Sequence, residues 1–196
     1  SYQEGLRTLE HIGGSAYVLG ALHNNLGATH IRRGEIDAAR QHLRVSHECF
    51  ERAQARDWLP ELHCHWAEAA LLAGELPNAE THIQQSLSLA RELSMRDQEG
   101  NSLRVLGEIA IAQGQFEEAE AHLRQSLAIL KEVENEYEEA CSQLSLARLH
   151  IVQGKPAETL VALEQCISTF ERLGAALDLN TARELQKEVD GHKDYS

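Results

Sequence analysis

The sequence predicts an all-α fold, a stack of about four antiparallel helix pairs with flanking helices. Three observations carry that prediction. Gly34, Gly74, Gly114 and Gly154 recur at intervals of 40 residues, and a fixed period of this size marks a repeat architecture. Apolar residues between the glycines fall at helical spacing. Only 3 prolines occur in 196 residues and aromatics are 5%, few for a sandwich or barrel.

Each glycine sits in a repeating register. Leu26, Trp66, Leu106 and Leu146 precede it by eight residues, followed at once by the small residues Gly27, Ala67, Gly107 and Ala147. Ile31, Leu71, Ile111 and Ile151 come next. After the glycine come Ile36, Leu76 and Phe116, with Pro156 breaking the apolar series. Ala39, Ala79, Ala119 and Thr159 follow, then Leu43, Ile83, Leu123 and Leu163, then Ser46, Ser86, Ser126 and Cys166. In the third unit Leu103, Leu106, Ala110 and Ile111 share one helical face, as do Phe116, Ala119, Leu123, Leu127 and Leu130. The glycine lies between these faces, where a left-handed residue would end the first helix. Arg32 and Arg33 suit that helix end, and Asp37 and Glu117 suit the next helix start. Pro77 fits a first turn. The small residues imply close backbone approach.

The predicted pairs span about 15–33 and 36–53, 58–73 and 76–93, 98–113 and 116–133, and 137–153 and 156–173. A capping helix covers about 175–189, and a partial helix about 3–12 matches a second helix without its first. All of this reads as one repeat domain over 1–196.

These residues resemble the tetratricopeptide-repeat family. Leu26-Gly27 and Leu106-Gly107 match its Leu-Gly pair, and Ala39/Leu43, Ala79/Ile83 and Ala119/Leu123 match its second helix. The family aromatic is replaced by His30, Ala70, Ala110 and His150, and the terminal proline is missing. A unit of 40 residues is longer than the usual 34 or so. It is similar to the repeats of kinesin light chains and of bacterial signal-transduction ATPases, transcriptional activators and cyclases. The resemblance implies a right-handed α-α superhelix, a TPR-like solenoid whose first helices line a concave face. Family register places Asn24, Ala28, Cys64, Glu68, Arg104, Glu108, Leu144 and Arg148 on that face, with Ala21, Glu61, Asn101 and Cys141 at its rim. It implies a non-catalytic scaffold that binds a protein or peptide. The alternative is a sensor or arm domain of a larger bacterial regulator that binds an inducer or self-associates. Asn24 and Arg104 are only fragments of the family's carboxylate clamp.

A net charge of −13 disfavours nucleic acid and anionic membranes. Cys49, Cys64, Cys141 and Cys166 show no disulfide or C-x-x-C spacing, which fits reduced thiols and a cytoplasmic setting. No apolar run is long enough to span a membrane. The chain opens on Ser1 rather than Met, which points to a piece of a longer protein. Leu6, Leu9 and Ile12 would then lack a partner helix and could drive self-association. Neighbouring residues on a helix diverge by about 100°, so His63-Cys64-His65 is not expected to hold one metal. His42, His82 and His122 form a ladder at the repeat interval, too widely spaced to share a ligand. Phosphate-loop, dinucleotide, zinc-protease and nucleophile-elbow motifs do not appear, so neither cofactor nor catalytic site is expected. The acidic runs Glu117-Glu118-Ala119-Glu120 and Glu136/Glu138/Glu139 suit solvated helix starts or a basic partner. Trp58 and Tyr137 could anchor a ligand or pack between repeats.

The register makes one prediction about packing. Gly107→Leu should overpack and cost about 1–3 kcal/mol, and Leu106→Ala should cost about 2–5 kcal/mol as a core truncation. Chemical unfolding measures both, and a parent-like curve for Gly107→Leu would contradict the close approach.

Overall fold

A computed structural model of the chain describes residues 15–193. The segment 3–12, with Leu6, Leu9 and Ile12, lies outside the described residues. Among the described residues the regular elements are all helical. They are α1 (Ala16–Arg32), α2 (Ile36–Ala53), a short 3-10 turn (Arg56–Trp58), α3 (Leu59–Leu72), α4 (Leu76–Glu92), α5 (Arg96–Ala112), α6 (Phe116–Glu132), α7 (Glu136–Val152), α8 (Pro156–Leu173) and α9 (Ala176–Lys193). The predicted all-α helix-pair fold is the one observed. Boundaries agree to within about four residues, the largest difference being α9, which runs on to Lys193. Two compact units divide the chain, Ser1–Gln98 and Glu99–Ser196.

Each first helix ends on a glycine in the left-handed region: φ is +71° at Gly34, +73° at Gly74, +75° at Gly114 and +67° at Gly154. The hydrogen bonds are those of a Schellman cap. The Gly34 N–H donates to the Ile31 carbonyl and the Glu35 N–H to that of His30, both at 2.9 Å. The same pair of bonds recurs at Gly74, Gly114 and Gly154.

The second helices use a similar ending, which the glycine spacing did not reveal. Gln54 (φ +54°), Ser94 (+56°), Glu134 (+56°) and Gly174 (+70°) are left-handed, again 40 residues apart. Three of these four carry a Cβ into a conformation costing about 1–2 kcal/mol. The bonds repeat as well: Ser94 N–H to the Arg91 carbonyl at 3.2 Å and Met95 N–H to that of Ala90 at 2.8 Å.

In the first and third pairs the small first-helix residues have the expected role. A Cβ on Gly27 would lie 2.6 Å from Leu43 Cδ2, and one on Gly107 2.7 Å from Leu123 Cγ. A second tier was missed. A Cβ on Gly20 would meet Phe50 at 2.6 Å and one on Gly100 would meet Leu130 at 2.7 Å. Beside this register the repeated serines bridge the first three hairpins. Ser46 Oγ donates to the Gly20 carbonyl at 2.9 Å, Ser86 to that of Pro60 at 2.6 Å and Ser126 to that of Gly100 at 2.8 Å. These hydroxyls are buried, so the bond offsets their desolvation. Cys166 stands in the fourth register position and turns its thiol to Leu163 of its own helix.

In the first unit Ile31, Ala39, Leu43, Phe50, Leu62 and Ala69 form the core, with Trp58 and Trp66 against it. In the second, Ala110, Ala119, Leu123, Leu146 and Leu149 form one cluster and Leu144, Ala147, Leu163, Cys166, Phe170 and Ala182 another. Ala182 is how α9 closes the outer side of α8. Leu106 is only partly buried, whereas Leu103 and Leu123 are fully buried, so truncating Leu106 falls at the low end of its range.

The two sets of left-handed positions predict opposite substitutions. Nothing lies within 4 Å of a Cβ placed on Gly74, so Gly74→Ala should lose about 1 kcal/mol from backbone strain alone. Glu134→Gly should gain about 0.5–1 kcal/mol by relieving it. Urea unfolding midpoints should move in opposite directions for the two variants.

Candidate functional site

The residues expected to line a binding face lie on first helices, four in each unit. In the first unit the face is closed by its own polar contacts. Asn24 is fully buried. Its Nδ2 donates to Glu61 Oε1 at 2.9 Å, and its Oδ1 accepts from His65 Nδ1 at 3.1 Å. The buried amide thus joins α1 to α3 and orients Glu61, a predicted rim residue. Ala28 and Cys64 are buried, and Glu68 is partly buried. The side chains that reach outward here are Glu61, His65 and Glu68, not Asn24, Ala28 or Cys64.

The second unit holds a network of charges. Arg104 Nη1 donates to Glu108 Oε1 at 3.2 Å, one turn along α5. Ser145 Oγ on α7 donates to the same oxygen at 2.5 Å. Arg148 Nη1 approaches it at 3.7 Å. Arg104 Nε also lies 3.8 Å from Glu138 Oε2. Leu144 is buried beneath. Side-chain exposure is 11% for Arg104, 15% for Glu108 and 42% for Arg148, so Arg148 is the member an outside group reaches first. Asn101 and Cys141, predicted for the rim, are partly buried, as is Ala21 in the first unit.

Ser145 was not anticipated, and Glu138 and His65 were expected only in an acidic run and a histidine cluster, not in these contacts. The signal lay in the period. Asn24–Glu61 and Glu108–Ser145 are both separated by 37 residues, one repeat less about one helical turn, which sets the two side chains side by side on consecutive first helices.

The aromatics at the first-helix starts take the packing role. Trp58 stacks on Phe50 at 5.2 Å and meets Tyr17 edge-on at 6.1 Å. Tyr137 lies 6.1 Å from Phe170 and donates its hydroxyl to Asp178 at 3.0 Å. In the acidic runs Glu120 pairs with Arg124, and Glu136 with Arg172.

Three of the four thiols are poorly suited to nucleophilic work. Burial pushes Cys49 up, pushes Cys166 up to about 11 and raises Cys141 well above the usual thiol range, with Glu138 adding to the last. Among the described residues no group of three or more His, Cys, Asp or Glu side chains is arranged to hold a metal ion. No described helix is long and apolar enough to cross a membrane.

Comparison with known proteins supplies the last observation. Tetratricopeptide-repeat profiles match residues 58–132 and 20–44. No curated protein matches the sequence. Among solved structures, aspartyl phosphate phosphatase F from Bacillus subtilis superposes with a TM-score of 0.71 at 15% identity, covering 99% of this chain and 51% of that one. BtubC (BKLC) from P. vanneervenii gives 0.60 at 19% identity, covering 100% and 87%. The nearly identical TPR-like repeats of a kinesin-light-chain-like protein from Podosopora anserina give 0.54 at 20% identity, covering 91% and 98%. This chain spans about half the length of the phosphatase structure. At these identities the likeness is one of fold.

Proposed function

We propose, for a chain that belongs to the tetratricopeptide-repeat family, that it is a non-catalytic scaffold binding a protein or peptide along its first helices. Repeats of this kind present extended faces rather than enclosed pockets, and their partners are read by side chains on those faces. The Arg104–Glu108–Arg148 network carries the proposal. One guanidinium, that of Arg104, and the Glu108 carboxylate are held nearly out of water on α5, with the more exposed Arg148 of α7 forming the open edge. Charges fixed this way recognise a partner by direction as well as by sign. Arg148 is the contact residue, Arg104 and Ser145 position Glu108 beside it, and Glu138 lies against Arg104. In the first unit Glu61, His65 and Glu68 take the corresponding place around the buried Asn24.

Random peptides displayed on phage and selected against the chain provide the test. Peptides so recovered should lose about tenfold or more in affinity for Arg148→Ala. They should bind Arg124→Ala, altered on the exposed side of the second helix α6, as well as the parent. Equal loss on both variants, or binding indifferent to Arg148, would contradict the proposed face.

A further inference from the structure

Both hairpins of the first unit carry a histidine pair at the same place. His23 of α1 meets His42 of α2 with Nδ1 to Nδ1 at 2.9 Å. One repeat on, His63 of α3 meets His82 of α4 at 3.2 Å. Two imidazole nitrogens this close share one proton: one ring donates its N–H and the other accepts with its lone pair. A second proton would set N–H against N–H and charge against charge. The rings have little freedom to turn away. His30 stacks on His42 at 5.2 Å with 8° between planes, and Trp66 stacks on His82 at 5.7 Å with 19°. In the second unit the same register reads Leu103 with His122 and Gln143 with Ala162, so no histidine pair is present there.

We infer that the two histidine pairs make α1–α4 an acid-responsive module, whose hairpins open when both rings of a pair are protonated while the hairpins of the second unit stay closed. The surroundings favour this outcome. Facing the first pair is His30 of α1, stacked on His42 and bonded to Glu35 of the following turn at 2.5 Å; Glu61 and His65 of α3 bond Asn24, the residue after His23. Facing the second pair is His47 of α2, and the nearby Arg40–Glu75 ion pair ties α2 to the turn before α4 at 2.8 Å. Burial first, then His23 and His30, lowers His42. Burial first, then His82 and His47, lowers His63 from 6.5 to about 4, and burial then His47 lowers His82. A histidine held neutral by the fold gains its proton more readily when unfolded. Stability from it is full above about 6.5 and is lost as pH falls towards about 4.

Native-state amide exchange, corrected for the intrinsic pH dependence of exchange, reads the two units separately. For His63 alone, a shift from 6.5 to about 4 corresponds to about a thirtyfold loss in the closed-to-open ratio at about pH 5. Amides of α3 and α4 should therefore lose about thirtyfold or more in protection between about pH 7.5 and about pH 5, those of α1 and α2 should lose protection in the same direction, and α6–α9 should change far less. His23→Leu combined with His63→Leu places in both hairpins the residue that Leu103 supplies in the third, and it should remove most of that loss. Equal loss in both units, or an undiminished loss in the variant, would overturn the inference. Should the leucines disturb folding, imidazole NMR of the parent chain decides: a midpoint for His63 near 4 supports the inference, and one near 6.5 overturns it.

Discussion

In the first and third hairpins of this chain a second-helix side chain occupies space that a first-helix side chain would otherwise fill. Leu43 lies against the bare backbone of Gly27, and Leu123 against that of Gly107. One turn-pair further, Phe50 and Leu130 do the same at Gly20 and Gly100. Helices that approach this closely exclude water and bring polar backbone within reach of the partner, which is why Ser46, Ser86 and Ser126 can hydrogen-bond carbonyls of the opposite helix. A larger residue at Gly20 or Gly100 would meet Phe50 or Leu130 and strain the serine bond beside it. Packing and polar satisfaction are therefore one constraint.

The left-handed caps set the length of each helix so that this contact recurs in register. At the first-helix ends glycine takes the strained conformation without cost. At three of the second-helix ends Gln54, Ser94 and Glu134 take it at a cost, and the conformation persists because tertiary packing over-determines it. The chain thus holds strain at its inter-repeat turns rather than within its hairpins.

Most of the fold was legible because glycine reports φ directly: four glycines at one interval fixed the turns, and the apolar spacing filled in the helices. The inter-repeat turns were hidden because Gln, Ser and Glu carry no such signature. The binding face was less legible. Family register named Asn24, Ala28 and Cys64 as lining residues, but their side chains are buried, since a first helix that meets its successor must bury part of its inner face. What emerges instead are partners separated by 37 residues, a distance that combines the repeat with one helical turn. The histidine pairs were hidden for the same reason: His23 and His42 are 19 residues apart, a separation set by hairpin geometry rather than by either helix alone.

If the hairpin register is the unit of construction, removing one whole unit should leave a foldable chain. Deleting residues 35–74 joins Gly34 to Glu75 with the native cap sequence pattern intact. Circular dichroism with urea unfolding should show helix content per residue like the parent's and a cooperative transition, while deletion of 35–72, two residues short of the repeat, should lose both. Equal folding of the two deletions, or equal failure, would contradict the account.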